Sequence, residues 1–174
     1  MAEIIRGGRA EADRFSVWRP PAGVEGQTPP PGPVLVPLAH WLAGAETLQG
    51  RRDTGVWLAP DDDPLALAPW IDGLAVVAVD FPKFTDGRGY SSAYLLRNRL
   101  GYRGELRAIG DVLPDQLAYL KRVGFDAFAL RPDKKPAQAL AAMGAFSEAY
   151  QGSTDQPLPV FRRRERPGPV EWKR

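Results

Sequence analysis

The alternation of short apolar runs with helical patterns constrains the fold of this chain more than any other feature. From residue 34 onward, stretches with helical spacing of apolar residues separate five apolar runs of strand length, at 34–38, 55–59, 74–81, 105–109 and 127–130. Such alternation predicts parallel strands joined by right-handed crossover helices. We therefore predict an α/β domain with an open, mostly parallel sheet or a partial β/α barrel of about five strands. Five units are too few for a closed eight-stranded barrel.

The first 33 residues do not follow this alternation. Two short apolar pieces around a glycine-containing stretch predict an N-terminal β-hairpin. Seven of the 18 prolines lie between residues 20 and 37, which is typical of an extended connector. We divide the chain into a hairpin with a proline-rich connector (1–33), an α/β domain (34–161) and a basic tail (162–174).

The basic tail holds most of the positive charge. Residues 162–174 carry a net charge of +4, against +2 for the whole chain of 174 residues. A basic run beside proline and glycine is typical of a solvated tail, and the alternative is a docking segment for an acidic partner. Nucleic-acid surfaces interleave basic and aromatic residues across a fold. We therefore predict no nucleic-acid partner.

The residue inventory excludes several classes of chemistry. The chain has no cysteine and a single histidine, His40. Disulfides, thiolate-bound zinc, iron–sulfur clusters and thiol catalysis are therefore excluded, and so is a metal site of several histidines. Apolar runs reach only about eight residues, whereas a membrane-spanning helix needs about 20. Because the N-terminus also lacks the apolar stretch of a secretory signal, we expect a cytoplasmic protein with no membrane association.

The segment after the most apolar strand carries the clearest functional signal. Gly87 and Gly89 allow backbone conformations closed to other residues, and Arg88 beside a helix N-terminus would favour an anion. The spacing is neither a phosphate-binding P-loop nor a dinucleotide fingerprint. The alternative is a tight strand-to-helix turn with Arg88 and Asp86 paired at the surface. The candidate anion- or cofactor-binding residues here are Asp80, Lys83, Asp86, Gly87, Arg88, Gly89, Tyr90 and Ser91.

Side-chain alternation along the strands adds two arginines to these candidates. Successive strand residues point to opposite faces, which places Asp80 on one face with Leu74, Val76 and Ala78. The same reasoning places Arg107 with Glu105 and Ile109, and Arg131 with Ala127 and Ala129. If these faces match, Asp80, Arg107 and Arg131 converge as an anion pocket with a carboxylate beside it. The alternative is a structural ion-pair network at the mouth of the sheet. Asp111 is interpreted as a turn cap and His40 as a structural residue.

Several motifs between Val79 and Leu130 resemble those of a bacterial family of unknown function, and the similarity extends more weakly to Phe161. They are Asp86-Gly87-Arg88-Gly89-Tyr90-Ser91, Gly104-Glu105-Leu106-Arg107-Ala108, Gly110-Asp111-Val112 and Gly124-Phe125-Asp126-Ala127-Phe128. Members of that family are often labelled oxidoreductases and are linked with assimilatory sulfite reduction. The resemblance identifies neither the catalytic residues nor a cofactor, and both stay unknown at this point.

Two functional hypotheses follow. The first is an accessory protein of sulfite reduction, and so of sulfur assimilation and cysteine biosynthesis, that binds the reductase or its electron donor. The second is an oxidoreductase or other enzyme that binds a phosphorylated or anionic ligand or cofactor at the Asp86–Ser91 loop. Arg88 would then hold the anion, Lys83 and Arg107 would stabilise charge, and Asp80 or Asp86 would act as acid or base. The exposed edges of a partial barrel also favour a homo-oligomer.

Overall fold

A single eight-stranded sheet organises the protein. The computed structural model describes residues 2–21, 27–51, 53–144 and 149–163, so most of the predicted basic tail and part of the connector lie outside the described residues. The strands are β1 (Glu3–Arg6), β2 (Arg9–Ala12), β3 (Ser16–Val17), β4 (Val34–Pro37), β5 (Thr54–Leu58), β6 (Val76–Phe81), β7 (Glu105–Gly110) and β8 (Ala127–Phe128).

The strand order is β2-β1-β8-β7-β6-β5-β4-β3, and the sheet is open and curled like a half-barrel. Strands β3 to β8 pair in parallel, whereas β1 pairs antiparallel with both β8 and β2. The α/β class and the open, curled sheet are confirmed. The predicted number of about five strands is wrong, and the sheet is mixed in direction.

The additional strands come from the N-terminal region. An N-terminal hairpin is present as β1 and β2, but its second strand is the polar Arg9–Ala12 and not the second apolar piece, which forms β3 at the other edge. Gly7 and Gly8 turn the hairpin with φ of 55° and 76°, as a tight turn with the twist of a hairpin requires. The hairpin then adds to β8, while β3 adds to β4. Strands β2 and β3 are short and exposed, so neither has the apolar run from which a strand is recognised. Self-association through the sheet edges stays a prediction.

The helices lie mainly on one face of the sheet. Gly124 ends the third helix with a φ of 117°, the left-handed cap expected of a glycine at this position. None of the helices in the described part of the chain is long and apolar enough to span a bilayer. The helices are α1 (Leu38–Leu48), α2 (Arg88–Tyr94), α3 (Leu117–Val123), α4 (Pro136–Met143) and α5 (Val160–Arg163), with a π-helical turn at Leu95–Arg99 and 3-10 turns at Pro64–Leu67, Ile71–Gly73 and Pro114–Gln116.

The two faces of the sheet carry different cores. The helix-covered face holds the large core, which includes Val77, Val79 and Phe81 of β6. The inner face holds a small cluster that includes Val76 and Ala78, with Phe15 packed against it. The predicted alternation is therefore confirmed along β6 itself. Leu74 differs, because it precedes the strand and packs in the helix-side core.

A short connection spans the open side of the curl. Strand β2 ends at Ala12 and β3 begins at Ser16, at opposite ends of the strand order. The four Cα–Cα steps from Ala12 to Ser16 extend over at most roughly 14 Å. The two edges of the sheet must therefore lie close together, and the connection places Asp13 and Phe15 against the inner face.

Candidate ligand site at the carboxyl edge of the sheet

A shallow cavity of about 420 Å³, wide open to solvent, lies where β6 and β7 end. Ligands of open α/β sheets bind at the carboxyl ends of parallel strands, so the location is the one that the topology favours. Two arginines, two aspartates, a glycine and two apolar residues line it, namely Arg19, Asp80, Phe81, Pro82, Gly110, Asp111 and Arg131.

Asp80 forms the first ion pair of the cavity. Its carboxylate, on the last residue but one of β6, accepts two hydrogen bonds from the Arg19 guanidinium, from Nη2 at 2.7 Å and Nη1 at 3.0 Å. Asp80 is only 6% exposed, and burial of a carboxylate requires such a partner. Arg19 also lies over the Trp57 ring, 4.7 Å from its centroid. The Trp57 indole N–H in turn donates to the carbonyl of Trp18. Arg19 is thus positioned by contacts from two sides.

Asp111 forms the second ion pair. Its Oδ1 accepts a hydrogen bond from Nη1 of Arg131 at 3.0 Å, and its Oδ2 accepts one from the backbone N–H of Phe84 at 3.0 Å. Arg131 also donates to both carboxylate oxygens of Asp133. The guanidinium of Arg131, followed by the Lys134 ammonium, lowers the pKa of Asp133. Asp133 and then Asp111 raise the pKa of Arg131.

Gly110 brings the two ion pairs together. It ends β7 with a φ of 94°, and a Cβ on it would lie 2.4 Å from the carbonyl oxygen of Phe81 and 2.7 Å from Oδ1 of Asp80. The next residue, Asp111, donates its backbone N–H to that same Phe81 carbonyl at 2.7 Å. A side chain at position 110 would therefore separate the strand ends that carry the aspartates.

This arrangement can bind a ligand through charge-assisted hydrogen bonds. A guanidinium has five N–H donors; in the contacts of the described residues Arg19 directs two of them to Asp80, and Arg131 directs three to Asp111 and Asp133. Each of these guanidinium groups therefore has N–H donors beyond those that bind the aspartates. No cluster of three or more metal-ligating side chains occurs in the described ranges.

Two of the predicted site residues, Asp80 and Arg131, meet at the cavity, whereas Arg107 does not line it. Asp80 is paired in register with Ile109, and Arg107 is paired with Ala78, two residues further from the carboxyl edge. Arg107 is fully buried and donates to Asp13 at 2.8 Å and to Glu105. The Phe15 ring lies 4.8 Å from its guanidinium carbon. Arg107 thus forms a structural ion-pair network on the inner face.

The predicted loop residues lie on the surface beside the cavity. The Arg88 guanidinium donates to Asp86 at 2.7 and 3.0 Å and to Asp61, all at exposed positions. Arg88 lowers the pKa of Asp86 to about 2. Lys83 is exposed and forms no ion pair within the part of the chain that the structure describes. The arrangement of Arg88 matches the alternative considered for this segment, a paired surface arginine.

The rest of the loop serves helix packing. Helix α2 begins at Arg88 after Gly87, so Ser91 lies inside the helix and not at its cap. Gly89 packs directly on Phe81. The Tyr90 ring contacts Phe81 edge-on at 5.4 Å, and its hydroxyl accepts a hydrogen bond from Gln116. Burial raises the pKa of Tyr90.

Sequence reasoning missed Arg19 and Asp111 as cavity residues. Arg19 follows β3, a two-residue strand with no apolar run to mark it. Asp111 comes directly after the glycine that ends β7, whereas Asp80 is paired in register with Ile109 inside the strand. The available signal was the location of both aspartates where adjacent parallel strands end, and the interpretation of Asp111 as a turn cap accounts only for the bond from Phe84.

Four aromatic residues from the segment before α2, from α2 and from α3 form a patch, here called the aromatic surface: Phe84, Tyr90, Tyr94 and Tyr119. All except Tyr90 are at least half exposed. The Tyr90 and Tyr119 rings lie 5.1 Å apart, and Tyr94 lies one helical turn after Tyr90 on the same face of α2. Gln116 donates to the carbonyl of Phe84 at 3.0 Å and joins the loop to the 3-10 turn before α3.

Comparison with known proteins identifies a family but no activity. A search of curated proteins gave no match. The comparison with family models gave a match over residues 55–161, more than half of the chain. The resemblance found in the motifs is confirmed for the family alone, because the match carries no link to oxidoreductases or to sulfite reduction. The chain belongs to the family described as bacterial protein of unknown function, DUF934.

Proposed function

We propose that the protein is an accessory protein of bacterial assimilatory sulfite reduction that binds the sulfite reductase or its electron donor. The resemblance of the motifs supports the pathway. The absence of cysteine from the sequence supports the accessory role, because iron–sulfur and thiol redox centres would have to come from the partner. The observation that carries the binding role is the aromatic surface.

The aromatic surface has the composition of an interface centre. Tyrosine and phenylalanine are enriched at the buried centres of protein interfaces and supply large apolar area with few rotatable bonds. Tyr90 anchors the patch on the core through Phe81, and Gln116 holds the Phe84 loop in place. Because these groups are already ordered, a partner would lose little conformational entropy on binding them.

The test is a binding titration of the purified protein with sulfite reductase and with its electron donor from the same bacterium. The doubly substituted variant Phe84→Ser, Tyr119→Ser should bind at least about tenfold more weakly, since interface anchors contribute about 2 kcal/mol or more. Leu42→Ser is the control, because Leu42 is also an exposed apolar residue but lies on α1, which packs on β4 and β5. Absence of binding to either protein, or equal loss in the control, would overturn the proposal.

A second candidate function is an enzyme that binds an anionic ligand, and the two ion pairs of the cavity favour it. The cavity offers a better site than the Asp86–Ser91 loop, because Arg88 is already bound by Asp86 and Asp61. Arg19 and Arg131 would hold the anionic group through bidentate hydrogen bonds. The carboxylate of Asp80 or Asp111 would then accept a proton from the ligand.

A thermal-shift screen with phosphate, sulfite and nucleotides separates the two possible sites. A ligand at 100 times its dissociation constant stabilises the protein by about 2.7 kcal/mol. Arg19→Ala and Arg131→Ala should abolish the shift, while Arg88→Ala should preserve it. Loss of the shift in Arg88→Ala alone would place the ligand at the Asp86–Ser91 loop instead of the cavity. Absence of a shift with all of these probes would contradict the second candidate function.

A further inference from the structure

We infer that the cavity at the carboxyl edge takes a small zwitterion of the α-amino acid class in preference to a simple anion. The inference rests on the second candidate function, namely that the cavity is a ligand site. It names the chemical class of that ligand from the placement of charges around the cavity.

The first argument is the charge of the lining. Two guanidinium groups and two carboxylates give the lining no net charge. A simple oxyanion that approaches either arginine also approaches the carboxylate bound to it, and like charges at short range repel. A zwitterion adds no net charge, so each of its two ends can meet a group of opposite sign.

The second argument is the order of the charges along the sheet. The aspartates follow the adjacent strands β6 and β7, and the Asp80 carboxylate lies against Gly110, the residue before Asp111. The arginines come from elements on either side, Arg131 after β8 and Arg19 after β3. The carboxylates therefore occupy the middle of the site and the guanidinium groups occupy its flanks.

This order matches the functional groups of an amino acid. An ammonium has three donors and no acceptor, so it can donate to both central carboxylates at once. The ligand carboxylate then lies against Arg19 or Arg131, in the planar geometry that a guanidinium fork recognises. When an ion pair of the free protein opens on binding, its aspartate pairs with the ligand ammonium and its arginine with the ligand carboxylate. Neither charge is then left without a partner.

The third argument is the size and the apolar part of the lining. A cavity of about 420 Å³ suits a small molecule. Pro82 contributes an apolar part of the wall, against which an aliphatic side chain can pack. Gly110 adds no side chain to fill the space between the aspartates.

The test is isothermal titration at neutral pH with two sets of probes. The common L-α-amino acids are one set; propionate, ethylammonium, phosphate and sulfite are the other. At least one amino acid should bind, and the corresponding compound without the ammonium, as propionate is to L-alanine, should bind at least about tenfold more weakly. Asp111→Asn and Asp80→Asn should each weaken amino acid binding at least about tenfold. Asp86→Asn is the matched control, because Asp86 is also paired with an arginine but lies outside the cavity.

The outcomes distinguish a failure of this inference from a failure of the second candidate function on which it rests. If phosphate or sulfite binds through Arg19 and Arg131 while no amino acid does, the zwitterion inference is overturned and the anion site stands. If no probe of either set binds, both are overturned. If an amino acid binds but Asp86→Asn weakens it as much as Asp111→Asn and Asp80→Asn do, the ligand lies elsewhere and the inference fails. Circular dichroism identifies a variant that does not fold, and the other aspartate variant then decides.

Discussion

At the scale of single residues, Gly110 illustrates how one missing side chain shapes the cavity. Its φ of 94° lies in the left-handed region, which costs a residue with a Cβ about 1–3 kcal/mol. A Cβ at this position would also collide with the Phe81 carbonyl and the Asp80 carboxylate. The backbone conformation and the available space therefore both require glycine at this position. A side chain here would displace Asp80 and so disturb its ion pair with Arg19.

Gly110→Ala should lower the free energy of unfolding by about 1–3 kcal/mol more than Gly101→Ala does, because only the first adds overpacking to backbone strain. Gly101 has a φ of 69° with nothing within 4 Å of its Cβ position, so it isolates the cost of strain. Urea unfolding followed by tryptophan fluorescence measures both. Equal losses in the two variants would show that the strand ends can separate without cost.

The Asp86–Arg88 pair leads to a prediction about pH. The folded pKa of Asp86 is about 2, against an ordinary value of 3.8, mainly because of the hydrogen bonds from Arg88. The folded state therefore binds this proton less readily than the unfolded state. The resulting stabilisation is present above about pH 3.8 and disappears as the pH falls from there towards 2. Since the pair is exposed, solvent screening keeps its contribution small.

Substitution of Arg88 should move that titration. In Arg88→Ala the pKa of Asp86 should rise from about 2 towards 3.8. The chemical shift of the Asp86 carboxyl carbon, followed by NMR from pH 5 to pH 1.5 or so, measures this change. Arg131→Ala is the control, because Arg131 pairs with Asp111 and Asp133 and not with Asp86. An unchanged midpoint in Arg88→Ala would contradict the ion pair.

At the scale of secondary-structure elements, the close packing of α2 on β6 explains why the Asp86–Ser91 loop contains Gly89. Gly89 lies in the first turn of α2, and a Cβ on it would be 2.7 Å from the Phe81 ring and 3.0 Å from Val79. Both of these side chains belong to the buried core. The glycine therefore lets the helix approach the strand, a structural role in a motif that predicted ligand binding.

In Gly89→Ala, helix propensity and core packing have opposite effects on the stability of the protein. Propensity favours alanine over glycine by up to about 1 kcal/mol, whereas overpacking of a core contact costs about 1–3 kcal/mol. We expect a net loss of stability in urea unfolding. Gly73→Ala is the control, because its Cβ position is open and its φ is ordinary, so it should be neutral or slightly stabilising. A gain of stability in Gly89→Ala would show that α2 does not approach β6 this closely.

At the scale of the whole molecule, the N-terminal region and the α/β region form one sheet. Strand β1 pairs with β8, and Ile5 of the hairpin belongs to the main core. Arg107 on β7 is joined to Asp13 of the connection by an ion pair across 94 residues of sequence. The hairpin is therefore expected to unfold together with the sheet.

Ile5→Ala should lower the free energy of unfolding by about 2–5 kcal/mol, the cost of a large-to-small change in a core. Val17→Ala, at an exposed position of the edge strand β3, should change it by about 0.5 kcal/mol or less. Coincident transitions by circular dichroism and by tryptophan fluorescence would show a single cooperative unit. A wild-type main transition in Ile5→Ala would instead indicate a hairpin that unfolds on its own.

The amino-acid sequence was sufficient to predict the α/β class and the five central strands. It also indicated Asp80 and Arg131 as residues of the carboxyl edge. These features depend on neighbours in the chain: apolar periodicity, the punctuation of helices by proline and glycine, and the alternation of side chains along a strand. Local order of this kind is visible in a window of about ten residues.

Which charges meet depends on long-range contacts that are seen only in the folded structure. Arg19 reaches Asp80 across 61 residues of sequence, and Asp13 reaches Arg107 across 94, so Arg107 lies inside the curl while Arg19 lines the cavity. The pairing of short, exposed strands at the sheet edges depended on the same long-range contacts. An ion pair between distant residues leaves no local pattern, because any arginine near any aspartate satisfies the same electrostatics. The fold therefore determines which arginine pairs with which aspartate, and so determines the shape and charge of the cavity.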